Sequence, residues 1–216
     1  MTRKDLALYL VTDRGLSLGR DLETVVMQAV RGGVTLVQLR EKSIDTREFI
    51  ALGLRLKAAL AGSGVPLLIN DRVDVALAVD ADGVHIGQSD MPYEMARRLL
   101  GHDKIIGLSV ETMEEVRQAN DLDVDYVAVS PVFATHTKTD TLTPFGYEGL
   151  ERACKLTRHP VCCIGGMNAD TVGRAIACGS DGAAVVSAIV SAPDPYIASK
   201  NLKMIIDNEL DKRRLG

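Results

Sequence analysis

The sequence predicts an α/β fold, a single-domain (β/α)8 TIM barrel over residues 1–216. Three observations predict it. Short apolar runs alternate with helix-periodic segments through eight units, and no linker or shift in composition interrupts them. Runs such as Leu67-Leu68-Ile69 and Ala183-Ala184-Val185-Val186 are apolar at successive positions, as a parallel sheet covered on both faces demands. The first run is followed by Asp13-Arg14-Gly15-Leu16, which is not the Gly-rich turn of an open dinucleotide-binding sheet.

Taken in order, residues 7–11 read as the first strand. Leu22, Val25, Val26, Ala29 and Val30 recur at helical spacing, and Gly32-Gly33 stops that helix. The second strand covers 34–40. Asp45-Thr46-Arg47-Glu48 has the pattern of a capping box and opens a helix to about Ala61. A third strand at 65–70, a short helix near 72–79 and a fourth strand at 83–86 follow. Pro92 suits the first turn of the next helix, which runs to about Leu100. A strand at 104–109, a glutamate-rich helix at 111–121 and a strand at 124–130 come next. Residues 131–146 are Thr-rich without helical periodicity and are expected to form a flexible active-site loop. A helix at 147–157, strand 161–164, helix 169–178, strand 182–186 and an amphipathic helix near 195–213 complete the alternation.

Composition narrows the function. Hydrophobic residues make up 46% and charged residues 25%, the profile of a globular protein. A net charge of -4 argues against general binding to nucleic acid or membrane surfaces. Aromatics are few and Trp is absent, so stacking platforms for single strands are not expected. No signal-peptide pattern or apolar run of membrane-spanning length is seen, and a cytoplasmic protein is expected. Cys154, Cys162, Cys163 and Cys178 form no C-x-x-C pair and read as reduced cysteines, ahead of a zinc site or catalytic thiol.

In such barrels the reactive groups lie where strands end. Val37-Gln38-Leu39-Arg40-Glu41-Lys42 is the most telling end. Gln38, Arg40 and Lys42 share one face of an extended chain, an amide and two cations suited to a multiply charged anion such as a diphosphate. Other ends contribute Asn70, Asp71, Asp90, Ser109, Ser130, Gly165-Gly166 and Ser187. Asp71 and Asp90 suit a magnesium ion completed by phosphate oxygens and water. Singly, each suits equally the N-cap of the helix that follows, as does Ser109. The Gly pair suits a phosphate or merely a tight turn. Thr135, Thr137 and Lys138 read either as an anion grip on a flap or as a solvated loop. His136, on the alternate face, is expected to be exposed. His85 reads as a hydrogen-bonded core histidine. No Ser-His-Asp order or histidine cluster suggests a hydrolase.

Six segments then coincide. They are Gln38-Leu39-Arg40-Glu41-Lys42, Ile69-Asn70-Asp71-Arg72, Gly83-Val84-His85-Ile86-Gly87-Gln88-Ser89-Asp90, Pro131-Val132-Phe133 with Thr135, Thr137 and Lys138, Ile164-Gly165-Gly166, and Val186-Ser187-Ala188-Ile189. In this order and spacing, from about residue 6 to 192, the chain resembles the thiamine phosphate synthase family. The resemblance implies a transferase of thiamine biosynthesis, with Mg2+ as cofactor. Its substrates would be an aminopyrimidine diphosphate and a thiazole phosphate, carboxylated or not, joined by a dissociative displacement that releases pyrophosphate. It implies that Gln38, Leu39, Arg40, Glu41, Lys42, Asn70, Ser109 and Lys138 hold the pyrimidine diphosphate, with Arg40, Lys42, Lys138 and Ser109 serving catalysis. Asp71 and Asp90 would bind the metal. Thr135, His136, Thr137, Gly166, Val186 and Ser187 would hold the thiazole phosphate. Partners would be small molecules, with no nucleic acid or membrane, and a homodimer is one arrangement open to a small barrel.

Departures from the family pattern are Ser130 for Gly, Ala134 for Pro and Met167 for Ile, none at a charged position. A thiazole tautomerase branch keeps the barrel but has His in place of Pro131, so Pro131, Thr137, Lys138, Arg40 and Lys42 favour the synthase. A non-catalytic barrel that binds a phosphorylated thiamine precursor is the alternative from another class.

Overall fold

The computed structural model describes residues 1–134 and 143–215. Among them eight parallel strands form a closed barrel in sequence order, each bonded to the next and the eighth to the first. They are β1 (Leu8–Val11), β2 (Leu36–Leu39), β3 (Leu67–Asn70), β4 (Gly83–Ile86), β5 (Ile105–Val110), β6 (Tyr126–Val129), β7 (Val161–Cys163) and β8 (Gly182–Val185). The helices between them are α1 (Leu22–Arg31), α2 (Thr46–Leu60), α3 (Val73–Ala78), α4 (Tyr93–Leu100), α5 (Met113–Ala119), α6 (Gly146–Leu156) and α7 (Val172–Ala177). A short α8 (Ser187–Val190), not expected from the sequence, follows β8, and α9 (Pro195–Leu215) packs across α1 and α7. The expected loop at 131–146 is described only at its ends. There Phe145 N–H donates to Pro131 O and Gly146 N–H to Val132 O, which pins the two ends side by side.

Capping explains several helix starts. Asp21 accepts from Thr24 N at 2.9 Å, Asp45 from Glu48 N at 2.8 Å and Thr112 from Glu115 N at 3.1 Å. Each satisfies a backbone donor that the first helical turn leaves without a partner. The box expected at Asp45 is therefore present in its forward half.

Alternation along each strand sorts side chains into two layers. Outward residues such as Leu8, Leu10, Val37 and Leu39 join the main core between sheet and helices. Inward residues form a smaller second cluster that includes Leu6, Tyr9, Val11, Leu36, Leu68, Tyr126 and Cys162. Leu6 helps fill the amino-terminal end of the ring, its carbonyl against Gly182. Arg3 crosses the same end to reach Asp181 at 2.6 Å. Gly107 is required by close approach: a Cβ there would stand 2.0 Å from Tyr126 Cζ. The inward phase then continues upward through Gln38, Asn70, His85 and Ser109, so polar residues replace apolar ones at the carboxyl end of the ring.

Candidate active site

A cavity of about 650 Å3 opens at that end. Gln38, Arg40, Lys42, Asn70, Asp71, Asp90, Ser109, Gly166, Val186 and Ser187 all line it. Residues from six of the strand ends thus converge, as the sequence led us to expect.

Two residues of the β2 segment do not converge. Leu39 is fully buried in the outer core, and Glu41 pairs with Arg14 at 2.8 Å. Their side chains therefore stand outside the cavity in which the pyrimidine diphosphate is expected. Period-two alternation that aims Gln38, Arg40 and Lys42 into the cavity turns Leu39 and Glu41 away from it. Burial pushes the Glu41 carboxyl up, against the opposing pull of Arg14. Thr135, His136, Thr137 and Lys138 lie outside the described residues.

The helix-capping alternative for the two aspartates fails on geometry. The N-cap positions of α3 and α4 are Arg72 and Pro92, and neither side chain caps its helix. Asp71 instead sits in the left-handed region at φ 61, a conformation that aspartate tolerates better than most residues. Its Oδ2 accepts from Lys42 Nζ at 2.7 Å. Asp90 Oδ2 accepts from Gly87 N at 2.7 Å. Ser109 lies within β5, while Thr112 caps α5, so Ser109 is not a cap either.

The aspartates interact directly, and their titration separates. Burial works to raise the Asp71 carboxyl, but the Lys42 ammonium and a hydrogen bond shared with Asp90 outweigh it and hold it below the usual range. Asp90 is pushed up, by burial first, then by its hydrogen bond with Asp71 and, less, by the Asp71 charge. Two carboxylates sharing a site with one already neutralised by an ammonium make a place prepared for positive charge. No group of three or more His, Cys, Asp or Glu suited to a metal occurs among the described residues.

Arg40 lies 3.7 Å from Asp13 and is held to the wall by its backbone N–H, which donates to Thr12 Oγ1 at 3.0 Å. Asn70 is buried, and its Nδ2 has no hydrogen-bond partner among the described residues. An amide donor left unpaired beside cations is a feature that a bound anion would satisfy. Gly165 and Gly166 have φ 100 and 68, and Phe133 packs close to Gly166.

The sequence reading missed Tyr9, which lines the cavity floor with Gln38 and His85, and Tyr126, which lies behind them and bonds to Tyr9 and His85. Inside a strand apolar on both faces, nothing local marks which residues face inward. The polar pair Gln38 and His85 fixed that phase on β2 and β4 and, carried across the register, would have found them. His85 is a hydrogen-bonded buried histidine as expected, but it also lines the cavity.

Comparison with known proteins agrees with this geometry. A family model described as thiamine monophosphate synthase matches residues 8–189. A thiamine-phosphate synthase of Albidiferax ferrireducens is 54% identical over 202 residues, covering 94% of this chain and 92% of that protein. One of Vibrio parahaemolyticus is 52% identical over 200 residues, covering 93% and 98%. The solved structure of a thiamine phosphate pyrophosphorylase from Pyrococcus furiosus superposes with a TM-score of 0.88 at 38% identity, covering 96% of this chain and 98% of that one. A match of this extent means that the chain belongs to the thiamine monophosphate synthase family.

Proposed function

We propose that the chain is a transferase that joins an aminopyrimidine methyl diphosphate to a thiazole phosphate, giving thiamine phosphate and pyrophosphate. The observation that carries the reading is the convergence of Arg40, Lys42, the unpaired Asn70 amide and the Asp71–Asp90 pair on one mouth. Arg40, Lys42 and Asn70 would grip the diphosphate, and Lys138 would join them by the family pattern. As the carbon–oxygen bond breaks, negative charge grows on the departing pyrophosphate, and preplaced donors stabilise it by a few kcal/mol each, roughly. Asp71 and Asp90 would hold magnesium, which when bound supplies positive charge to the phosphate oxygens. Val11, Ala128, Ile164 and Val186 give the cavity an apolar wall that keeps water from the electron-deficient methylene until the thiazole nitrogen captures it. Gly166, Val186 and Ser187 would receive the thiazole phosphate through backbone N–H groups, and Thr135, His136 and Thr137 would join them by the family pattern.

The same reading makes the protein cytoplasmic and able to pair as a homodimer. No helix among the described residues is long and apolar enough to cross a membrane. Leu77, Met95 and Leu99 are exposed apolar side chains on the adjoining helices α3 and α4. Sedimentation velocity tests the dimer.

The deciding assay supplies both substrates with magnesium and reads thiamine phosphate after oxidation to a fluorescent product. Formation that requires all three components supports the proposal. No product, or turnover of a thiazole tautomer alone, overturns it.

A further inference from the structure

Side chains from five strands form one continuous chain of hydrogen bonds across the cavity floor. Gln38 Nε2 donates to Tyr9 Oη. Tyr9 Oη lies 2.9 Å from Tyr126 Oη, and Tyr126 Oη lies 2.8 Å from His85 Nδ1. His85 Nε2 lies 2.8 Å from Ser109 Oγ. The rings are locked by packing: Tyr9 meets Tyr126 edge-on at 5.9 Å between centroids, and His85 stacks on Tyr126 at 5.6 Å. The two ends of the chain, Gln38 and Ser109, both face the cavity.

Each hydroxyl has one proton to give, which orders the chain. With the Gln38 amide donating to Tyr9, the Tyr9 proton goes to Tyr126 and the Tyr126 proton to His85 Nδ1. The imidazole proton is then on Nε2 and directed at Ser109 Oγ, which turns the hydrogen of the serine toward the cavity. Burial raises both phenols well above their usual range, so both remain protonated donors. Neighbouring bonds polarise one another in the same sense, so the order is cooperative. In this order every hydroxyl both accepts and donates within the chain, so no donor is wasted.

We propose that Tyr9 and Tyr126 are positioning residues that hold Gln38 and Ser109 in opposite hydrogen-bonding senses, with Gln38 presenting its carbonyl oxygen to the ligand and Ser109 its hydrogen. This rests on reading the cavity as an aminopyrimidine site. An exocyclic amine and a ring nitrogen match that pair of senses. The oxo analogue offers a carbonyl and a ring N–H, and meets both groups with the wrong sign. Selectivity for amino over oxo pyrimidines is therefore set by two hydroxyls behind the ligand-facing groups, Tyr9 next to Gln38 and Tyr126 one bond further, reached from Ser109 through His85.

The test compares the full-length protein with Tyr126→Phe and Tyr9→Phe. Long-range proton–nitrogen NMR reads the His85 tautomer, and kcat/KM is measured for the amino pyrimidine diphosphate and its oxo analogue. The wild-type protein is expected to carry the His85 proton on Nε2 and to prefer the amino substrate by about a hundredfold or more. Tyr126→Phe should mix the tautomers and cut the preference by about tenfold, with KM for the thiazole phosphate unchanged. Tyr9→Phe should also mix the tautomers, because Tyr126 can then either donate to His85 or accept from it, and should lose selectivity by uncoupling Gln38. A wild-type proton on Nδ1, or a preference within about twofold of wild type in both variants, overturns the proposal. If the wild-type protein turns over neither pyrimidine, the functional reading fails while the tautomer still judges the chain of bonds. If Tyr126→Phe does not fold, Tyr9→Phe carries both readouts.

Discussion

Asn70→Ala separates what the cavity contributes to binding from what it contributes to stability. Asn70 is 6% exposed, and its Nδ2 donates to no group among the described residues. A buried donor left unpaired costs the fold roughly 1–3 kcal/mol, whereas a hydrogen bond to a charged acceptor returns roughly 1.5–3 kcal/mol. Truncation removes the unpaired donor along with the few contacts that the amide makes at the cavity surface. The ligand-free variant should therefore unfold within about 1 kcal/mol of wild type, on either side. Affinity for the anion should fall by about 1.5–3 kcal/mol, a factor of roughly 10 to 100. Urea unfolding without ligand gives the first number. Isothermal titration with inorganic pyrophosphate in excess magnesium gives the second. A variant that loses more than about 3 kcal/mol of stability while binding pyrophosphate as tightly as wild type would show that Asn70 is structural and that its amide does not meet the anion.

Arg40→Ala should lower kcat with the circular dichroism spectrum unchanged; a full rate would remove Arg40 from the leaving-group role. Asp90→Asn should abolish the thermal stabilisation that magnesium gives the ligand-free protein, about 3–6 °C in wild type if the ion is tenfold above a millimolar Kd, and an undiminished shift would reject Asp90 as a ligand. The acid limb follows from the signs of the two shifts. Asp71, held low, adds stability above its unfolded value that is lost as pH falls through its folded value. Asp90, held high, binds its proton more tightly when folded, so stability falls as pH rises from the unfolded carboxylate value to the raised one. Asp90→Asn should remove that second decline from a series of urea midpoints against pH. Gly107→Ala places a Cβ 2.0 Å from Tyr126 Cζ and should cost about 1–3 kcal/mol or more, read in the same unfolding experiment.

Most of the barrel was legible because a covered parallel sheet writes itself as bare apolar runs, and Gly32-Gly33 or Asp45 marks where helices stop and start. Boundaries were less legible. The helix expected over 169–178 begins at Val172, because Asn168 first organises a turn in which its Oδ1 accepts from Asp170 N and Thr171 Oγ1 donates to Gly166 O. Strand two ends at Leu39, so Arg40 and Lys42 reach the mouth from just beyond the sheet. The charged part of the site was legible because Arg40, Lys42, Asp71 and Asp90 have no business inside an apolar ring. The floor was not, because a tyrosine in an apolar run looks like any other core residue until a polar neighbour in register shows which way it faces.

The ring of strands has a further consequence in its closure, since β1 bonds to both β2 and β8. Every strand has two neighbours, so among the described residues the sheet offers no open row of amides and carbonyls onto which another polypeptide could add. Peeling any strand loose means breaking ladders on both of its sides at once. Small fluctuations at the mouth are thereby kept from growing into a sticky seam.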